Sequence, residues 1–154
     1  MSVSNVRAET IKSINVFQDL TNEELEKVAS VLKHQKYPPG TQLIVQDQKA
    51  SEVFFIVNGR VRVEMARLDG KTPETLTMLS SGDAVGELAL ARVGRRTASV
   101  VAQMESEICS GDAAEINKLF EANPTIGLKV FRSLSRILAQ RLGDTNIMLR
   151  NTTV

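Results

Sequence analysis

Residues Gly86 to Val100 read GELALARVGRRTASV. One carboxylate, Glu87, stands near the start, and the arginine pair Arg95-Arg96 follows eight and nine residues later. No His, Cys or Lys occurs between them, so the stretch offers no evident general base or nucleophile. Gly86-Glu87-Leu88-Ala89-Leu90 has no strand alternation and suits one short helical turn after the Gly82-Asp83 turn. A helix start presents unpaired N–H groups and a positive dipole end, both suited to an anion. Gly86 and Ala89 would let a ligand approach the backbone, and Arg96 would add a charge-assisted bond to a phosphate. Thr97, Ala98 and Ser99 add hydroxyls and further N–H groups. Glu87 would be repelled by a phosphate, so it needs another task. Accepting from a sugar hydroxyl is one, and a ribose cyclic 3′,5′-phosphate has one free hydroxyl and one anion. The other reading is an exposed turn with a surface Glu87–Arg96 ion pair, worth about 0–1 kcal/mol.

Working outward, the middle of the chain predicts strands and the ends predict helices. QLIVQ, VFFIVNG, RVRVEMARL, ETLTML and TASVVAQ are short β-prone runs between Thr41 and Ile108. Asn58-Gly59 and Asp69-Gly70 each predict a tight hairpin turn. Short strands with frequent turns point to a small barrel or jelly roll. Upstream, Thr21-Asn22-Glu23-Glu24 reads as a capping box, with Leu25, Val28, Ala29 and Leu32 at helical spacing after it. A shorter helix is expected around Val6 to Ile14, and Pro38-Pro39-Gly40 breaks the chain. Downstream, Asp112 to Glu115 resembles a second capping box, opening a helix that ends near Asn123. Pro124 begins another, with an apolar stripe through Val130, Phe131, Leu134, Ile137, Leu138, Leu142 and Met148. Running to about Leu149, it would be roughly 38 Å long, more than a small barrel needs, and Gly143 could mark a bend. The surplus could pair with a second copy or pack on its own domain.

Composition excludes several classes. The chain has 154 residues, 42% hydrophobic and 24% charged, as for one globular domain. A formal net charge of +1 gives no global attraction to nucleic acid or acidic lipid. No apolar run reaches a membrane span and no signal-peptide core is present, so a cytoplasmic protein is expected. Single Cys109 excludes an internal disulfide framework; it is expected at a buried strand end. A cupin-like metalloenzyme needs several converging ligands, and His34 is the sole histidine, so no metal and no catalysis are expected.

VGELALARVGRRTASV resembles the phosphate-binding cassette of the cyclic-nucleotide-binding domain family, typically F-G-E-[LI]-A-L, a few variable residues, then P-R-[AST]-A-[ST]-V. The resemblance extends to PPGTQLIVQDQ, FFIVNGRVRV and the flanking helices. It implies an α+β fold: a β-roll, a jelly-roll-like double-sheet barrel, flanked by N-terminal helices and a long C-terminal helix. The implied division is a single domain over 1–154, with N-terminal helices over 1–34, the roll over 35–111 with the cassette at 86–99, and lid and dimer helices over 112–150. Glu87 would bind the ribose 2′-hydroxyl. Arg96 would bind the phosphate, aided by the N–H groups of Leu88 and Ala89 and by Thr97, Ala98 and Ser99. Three departures stand out. Val85 replaces the usual Phe and removes a ring from the pocket wall. Arg95 replaces Pro before the arginine and could itself touch the phosphate. Asp47 stands at the usual Gly of a Gln-Gly-acid turn. GRRTASV is also similar to the cassette of cyclic-nucleotide-gated ion channels, and Thr97 occurs both in relatives that prefer cGMP and in cAMP-responsive channels. RLGDTN, at 141–146, resembles the segment of the catabolite activator family in which two adjacent residues contact adenine, one of them from the partner subunit, which puts Thr145 and Asn146 at the base and favours cAMP over cGMP.

The expected protein is therefore a non-catalytic cyclic-nucleotide sensor, with no cofactor beyond that ligand. It would act in signal transduction by allosteric rearrangement of its C-terminal helix, as a homodimer, toward a downstream protein that the sequence does not identify. The alternatives are an interaction module that has lost its ligand, or part of a DNA-binding regulator whose reading segment lies elsewhere. No recognition helix fits between Arg150 and Val154.

Overall fold

In the computed structural model, which describes residues 4–49, 51–92 and 94–152, strand β4 (Glu52–Asn58) shows how the molecule is layered. Its run Val53-Phe54-Phe55-Ile56 is wholly buried. Successive strand residues face opposite sides, so Val53 and Phe55 enter one apolar core while Phe54 and Ile56 enter another. The first core lies under the helices, and the second lies between two sheets.

The remaining strands are β1 (Ser4–Asn5), β2 (Lys33–Tyr37), β3 (Gln42–Ile44), β5 (Arg60–Met65), β6 (Glu74–Ser80), β7 (Ala84–Val85), β8 (Ser99–Ala102) and β9 (Ser106–Asp112). Five form one sheet in the order β1-β2-β9-β4-β7 and four form the other, β3-β8-β5-β6. Among the described residues these strands all pair antiparallel. The expected β-roll is present, flanked by helices as anticipated.

Two tight hairpin turns were expected; one of the two strand pairs forms, but through a longer loop over residues 66–73. Asp69-Gly70 lies in the loop between β5 and β6, which pair, and Gly70 has φ +72°. Asn58-Gly59 does not make a hairpin, because β4 and β5 belong to different sheets. Gly59 does need positive φ, at +140°, but uses it to carry the chain from one sheet to the other. A Cβ there would lie 2.2 Å from Ser106 Oγ and 2.8 Å from Ser106 Cα. The glycine is required by a close crossing, not by a two-residue turn.

At the N-terminus the expected helix over 6–14 is shorter: α1 spans Ala8–Ile11, and a 3-10 turn follows at Asn15–Phe17. Helix α2 (Asn22–Ala29) carries the complete capping box, with Glu24 N–H donating to Thr21 Oγ1 (3.2 Å) and Thr21 N–H to Glu24 Oε1 (2.8 Å). Strand β1 falls in the segment expected to be helical, and β2 straddles the expected boundary between helices and roll at 34/35, ahead of the strands read from Thr41 onward. KHQKY of β2 has no apolar alternation; its place is set by pairing with β1 and β9. His34 there lies 3.3 Å from Glu107. Cys109 is fully buried in the middle of β9, not at its end, and burial pushes its thiol up to about 12. It stays protonated, which removes it as a nucleophile.

After a four-residue α3 (Leu88–Ala91) come α4 (Ala113–Ala122) and α5 (Pro124–Thr152). Asp112 caps α4 by accepting from Ala114 N–H (2.8 Å) and Glu115 N–H (3.2 Å). With 29 residues α5 is roughly 43 Å long and is continuous through Gly143. Its first half is anchored. Val130 and Leu134 are buried, Lys129 meets Glu24 at 2.7 Å and Arg136 meets Asp19 at 2.9 Å. The Lys129 ammonium and the capping-box bonds hold the Glu24 carboxyl below its usual range. Beyond Leu138 the helix outruns the core, and Leu142 and Ile147 are 62% and 54% exposed. Among the described residues no helix is long and apolar enough to cross a membrane. The expectation about the chain end at Val154 falls partly on residues 153–154, outside the described range, as does Val93 within the cassette.

Candidate functional site

A cavity of about 430 Å³ opens between the cassette, strands β5 and β6, and the distal half of α5. That volume suits one small organic ligand. Val85 and Val100 supply part of its apolar wall, and the cassette supplies its polar groups.

Arg96 is the central charge. Its Nη1 donates to Gly86 O (3.2 Å) and its Nη2 to Glu52 O (2.5 Å). Two carbonyls fix the guanidinium without neutralising it, because among the described residues these hydrogen bonds go to main-chain oxygens. Burial lowers the Arg96 pKa, and the Glu52 and Glu87 carboxylates pull it back up. An arginine remains protonated under such a shift. The positive charge is therefore held in place and open to an anion.

Gly86 makes that placement possible. Its φ is +74°, and a Cβ would lie 2.6 Å from Arg96 Nη1 and 2.9 Å from Ile44 Cδ1. Its missing side chain makes room for the arginine, where the sequence suggested room for a ligand. Ala89 N–H turns back to Gly86 O (3.2 Å), so that donor already has an acceptor. Leu88 is exposed on the cavity wall, beside Ala89.

Glu87 lines the cavity with a side chain only 12% exposed, and it accepts from Arg141 Nη1 of α5 at 3.4 Å. The surface Glu87–Arg96 ion pair weighed above does not form; the partner is Arg141. This contact ties the long helix to the cassette. Sequence reasoning missed Arg141 as a site residue, although it lies four residues before Thr145 and so shares its helix face. Arg141, Asp144, Thr145 and Met148 together form the α5 side of the cavity.

Other anticipated residues divide. Thr97, Ala98 and Thr145 line the cavity, while Ser99 and Asn146 do not. Ser99 Oγ accepts instead from Gln46 N–H (2.9 Å). Asn146 is exposed, one residue and about 100° round the helix from Thr145. Thr145 Oγ1 donates to Arg141 O (2.9 Å), which uses its proton and leaves the oxygen's acceptor capacity. Arg95 lines the rim, and its Nη1 donates to Asp47 O (2.7 Å). Asp47 adopts the left-handed conformation, φ +70°, so the turn survives without glycine. No group of three or more metal-binding side chains occurs among the described residues.

Known proteins resemble this chain in sequence and in fold. The chain is 33% identical over 132 residues, 85% of its length, to the cAMP-activated global transcriptional regulator CRP of Salmonella typhimurium. To the cyclic AMP receptor protein of Thermus thermophilus it is 27% identical over 139 residues, 90% of its length. It spans 60% and 62% of those two proteins. A cGMP-dependent protein kinase of Drosophila melanogaster is 32% identical over 93 residues, 60% of this chain and 10% of the kinase. Among solved structures, a cyclic nucleotide-binding domain from Methylobacillus flagellatus superposes with a TM-score of 0.87 over 99% of this chain and 89% of that one, at 21% identity. The catabolite activator protein of Thermus thermophilus superposes with a TM-score of 0.75 over 88% of this chain and 62% of that one, at 27% identity. Residues 34–123 match the family described as cyclic nucleotide-binding domain, and the chain belongs to that family.

Proposed function

We propose that this chain is a non-catalytic sensor that binds a cyclic nucleotide and signals through α5. The observation that carries the reading is Arg96, a charge fixed by two carbonyls at a cavity whose nearby acceptor is Glu87. The cyclic phosphate docks on Arg96, with Thr97 and Ala98 alongside. The ribose 2′-hydroxyl donates to Glu87. The base lies toward Thr145, and cAMP is favoured over cGMP. Support for adenine comes from Thr145 in the wall and from the longer match to proteins named for cAMP. Asn146 lends none. Thr97 is the residue that would favour guanine.

The relay follows from Glu87. It already holds Arg141 of α5, so a 2′-hydroxyl arriving at the same carboxylate shifts the position of that helix. A ligand moves only an equilibrium whose states it distinguishes, and the Glu87–Arg141 contact gives it that difference. The readout passes along α5. Its distal half carries exposed Leu142 and Ile147 past the end of the core, which supports pairing with a second copy. Sedimentation equilibrium of the intact chain is expected to give twice 16.9 kDa at micromolar concentration; a clean monomer removes the paired helix.

The ribose contact has a direct test. The 2′-deoxy form of the bound cyclic nucleotide leaves Glu87 without its donor. It is expected to bind about 10-fold more weakly, by the loss of one charge-assisted hydrogen bond. Equal affinity for the two forms would remove Glu87 from ligand recognition.

A further inference from the structure

We infer that Arg95 is a positioning residue for Arg96 and works through the left-handed turn at Asp47. The inference rests on the reading of Arg96 as the anion anchor. Its starting point is that two of the chain's departures from the family pattern, Asp47 in the upstream turn and Arg95 in the cassette, touch each other: Arg95 Nη1 donates to Asp47 O at 2.7 Å.

The Asp47 turn holds the main chain of Arg96 on both sides. Asp47 N–H donates to Arg96 O (2.9 Å), and Arg96 N–H donates to Gln48 O (2.7 Å). An antiparallel bridge between Lys49 and Arg95 continues the pairing. The turn therefore sets where the Arg96 side chain begins, and so whether its guanidinium reaches Gly86 O and Glu52 O. Yet this turn is under strain. Among the described residues Asp47 is the one non-glycine with positive φ, a conformation that Asp tolerates better than most residues but that carries a Cβ penalty glycine lacks. Arg95 binds the carbonyl that this conformation presents and so favours the left-handed state over relaxation to an ordinary one. Arg95 is exposed, so its bond contributes little to folding but fixes a local geometry on which a ligand contact depends.

Strain and support should be coupled. Arg95→Ala is expected to weaken cyclic-nucleotide binding by about 3- to 10-fold with Arg96 intact. In an Asp47→Gly background, where left-handed geometry is free of the Cβ penalty, the same change is expected to cost less than about twofold. Arg95→Lys, which keeps the charge and a donor, should lie between. Amide hydrogen exchange supplies a readout that needs no ligand: the Asp47 and Arg96 N–H groups should exchange faster in Arg95→Ala and return to wild-type rates in the double variant.

A loss of affinity that Asp47→Gly does not rescue would mean that Arg95 touches the phosphate itself, and would overturn the positioning role. Wild-type affinity and unchanged exchange in Arg95→Ala would overturn it too. If the wild-type protein binds no cyclic nucleotide, the proposed function fails, and the exchange rates alone decide whether Arg95 positions Arg96.

Discussion

Arg96→Ala is expected to lower cyclic-nucleotide affinity by roughly 10- to 150-fold. The side chain would make a charge-assisted contact to the ligand phosphate worth about 1.5–3 kcal/mol, and each 1.4 kcal/mol is a factor of ten. The effect should appear in binding far more than in folding. The two carbonyls that hold the guanidinium lose a donor, but Gly86 O keeps the Ala89 N–H as a partner. Arg96→Lys should recover only part of the loss, because a single ammonium cannot span Gly86 O and Glu52 O while also meeting a phosphate. Calorimetric titration of the three proteins reads the series. Wild-type affinity in Arg96→Ala would place the phosphate elsewhere.

Gly59→Ala is expected to destabilise the fold by about 3 kcal/mol, adding an overpacking cost to backbone strain. The contrast with Gly40 and Gly70 separates the two contributions. Those glycines also have positive φ, at +87° and +72°, but a Cβ on either would meet nothing within 4 Å. Alanine at Gly40 or Gly70 should cost about 1 kcal/mol, the backbone contribution alone. At Gly59 the new methyl would also meet Ser106 at its side chain and its Cα, where β9 crosses beneath the sheet-to-sheet passage. A backbone atom cannot rotate away. In a chain of this size the difference corresponds to a lowering of Tm of roughly 6–12 °C for Gly59→Ala against 2–4 °C for the others. Equal effects at all three positions would mean that the crossing at Gly59 relaxes at little cost.

Much of this fold was legible where a local signal is physically complete. The Thr21–Glu24 capping box is one example, since both of its hydrogen bonds lie within four residues. The Asp112 cap is another. The polar strand β2 was not legible, because KHQKY carries no periodicity and becomes a strand only when β9 and β1 flank it. Asn58-Gly59 misled for a related reason: a positive-φ demand identifies a bend, and only tertiary structure decides whether the two strands pair.

The site divides along the same line. Glu87, Arg96, Thr97 and Ala98 sit close in sequence and reach one cavity. Arg141 is 54 residues from Glu87, and no local pattern links them. Glu52 contributes to Arg96 through its carbonyl, a group every residue has, and so leaves no trace in residue type. Asn146 was placed by resemblance to a segment in which one of two adjacent residues reaches the base in the partner subunit; adjacent helix residues do not share a face, and Asn146 does not line this chain's own cavity.

The most direct test of the account is calorimetric titration of nucleotide-free protein with cAMP and cGMP, with 5′-AMP as the control. Saturable binding of a cyclic nucleotide, tighter for cAMP, with none of 5′-AMP, is the predicted result. Failure of both cyclic nucleotides to bind would contradict it, leaving Arg96 and Glu87 as parts of the fold and α5 as the element that carries function.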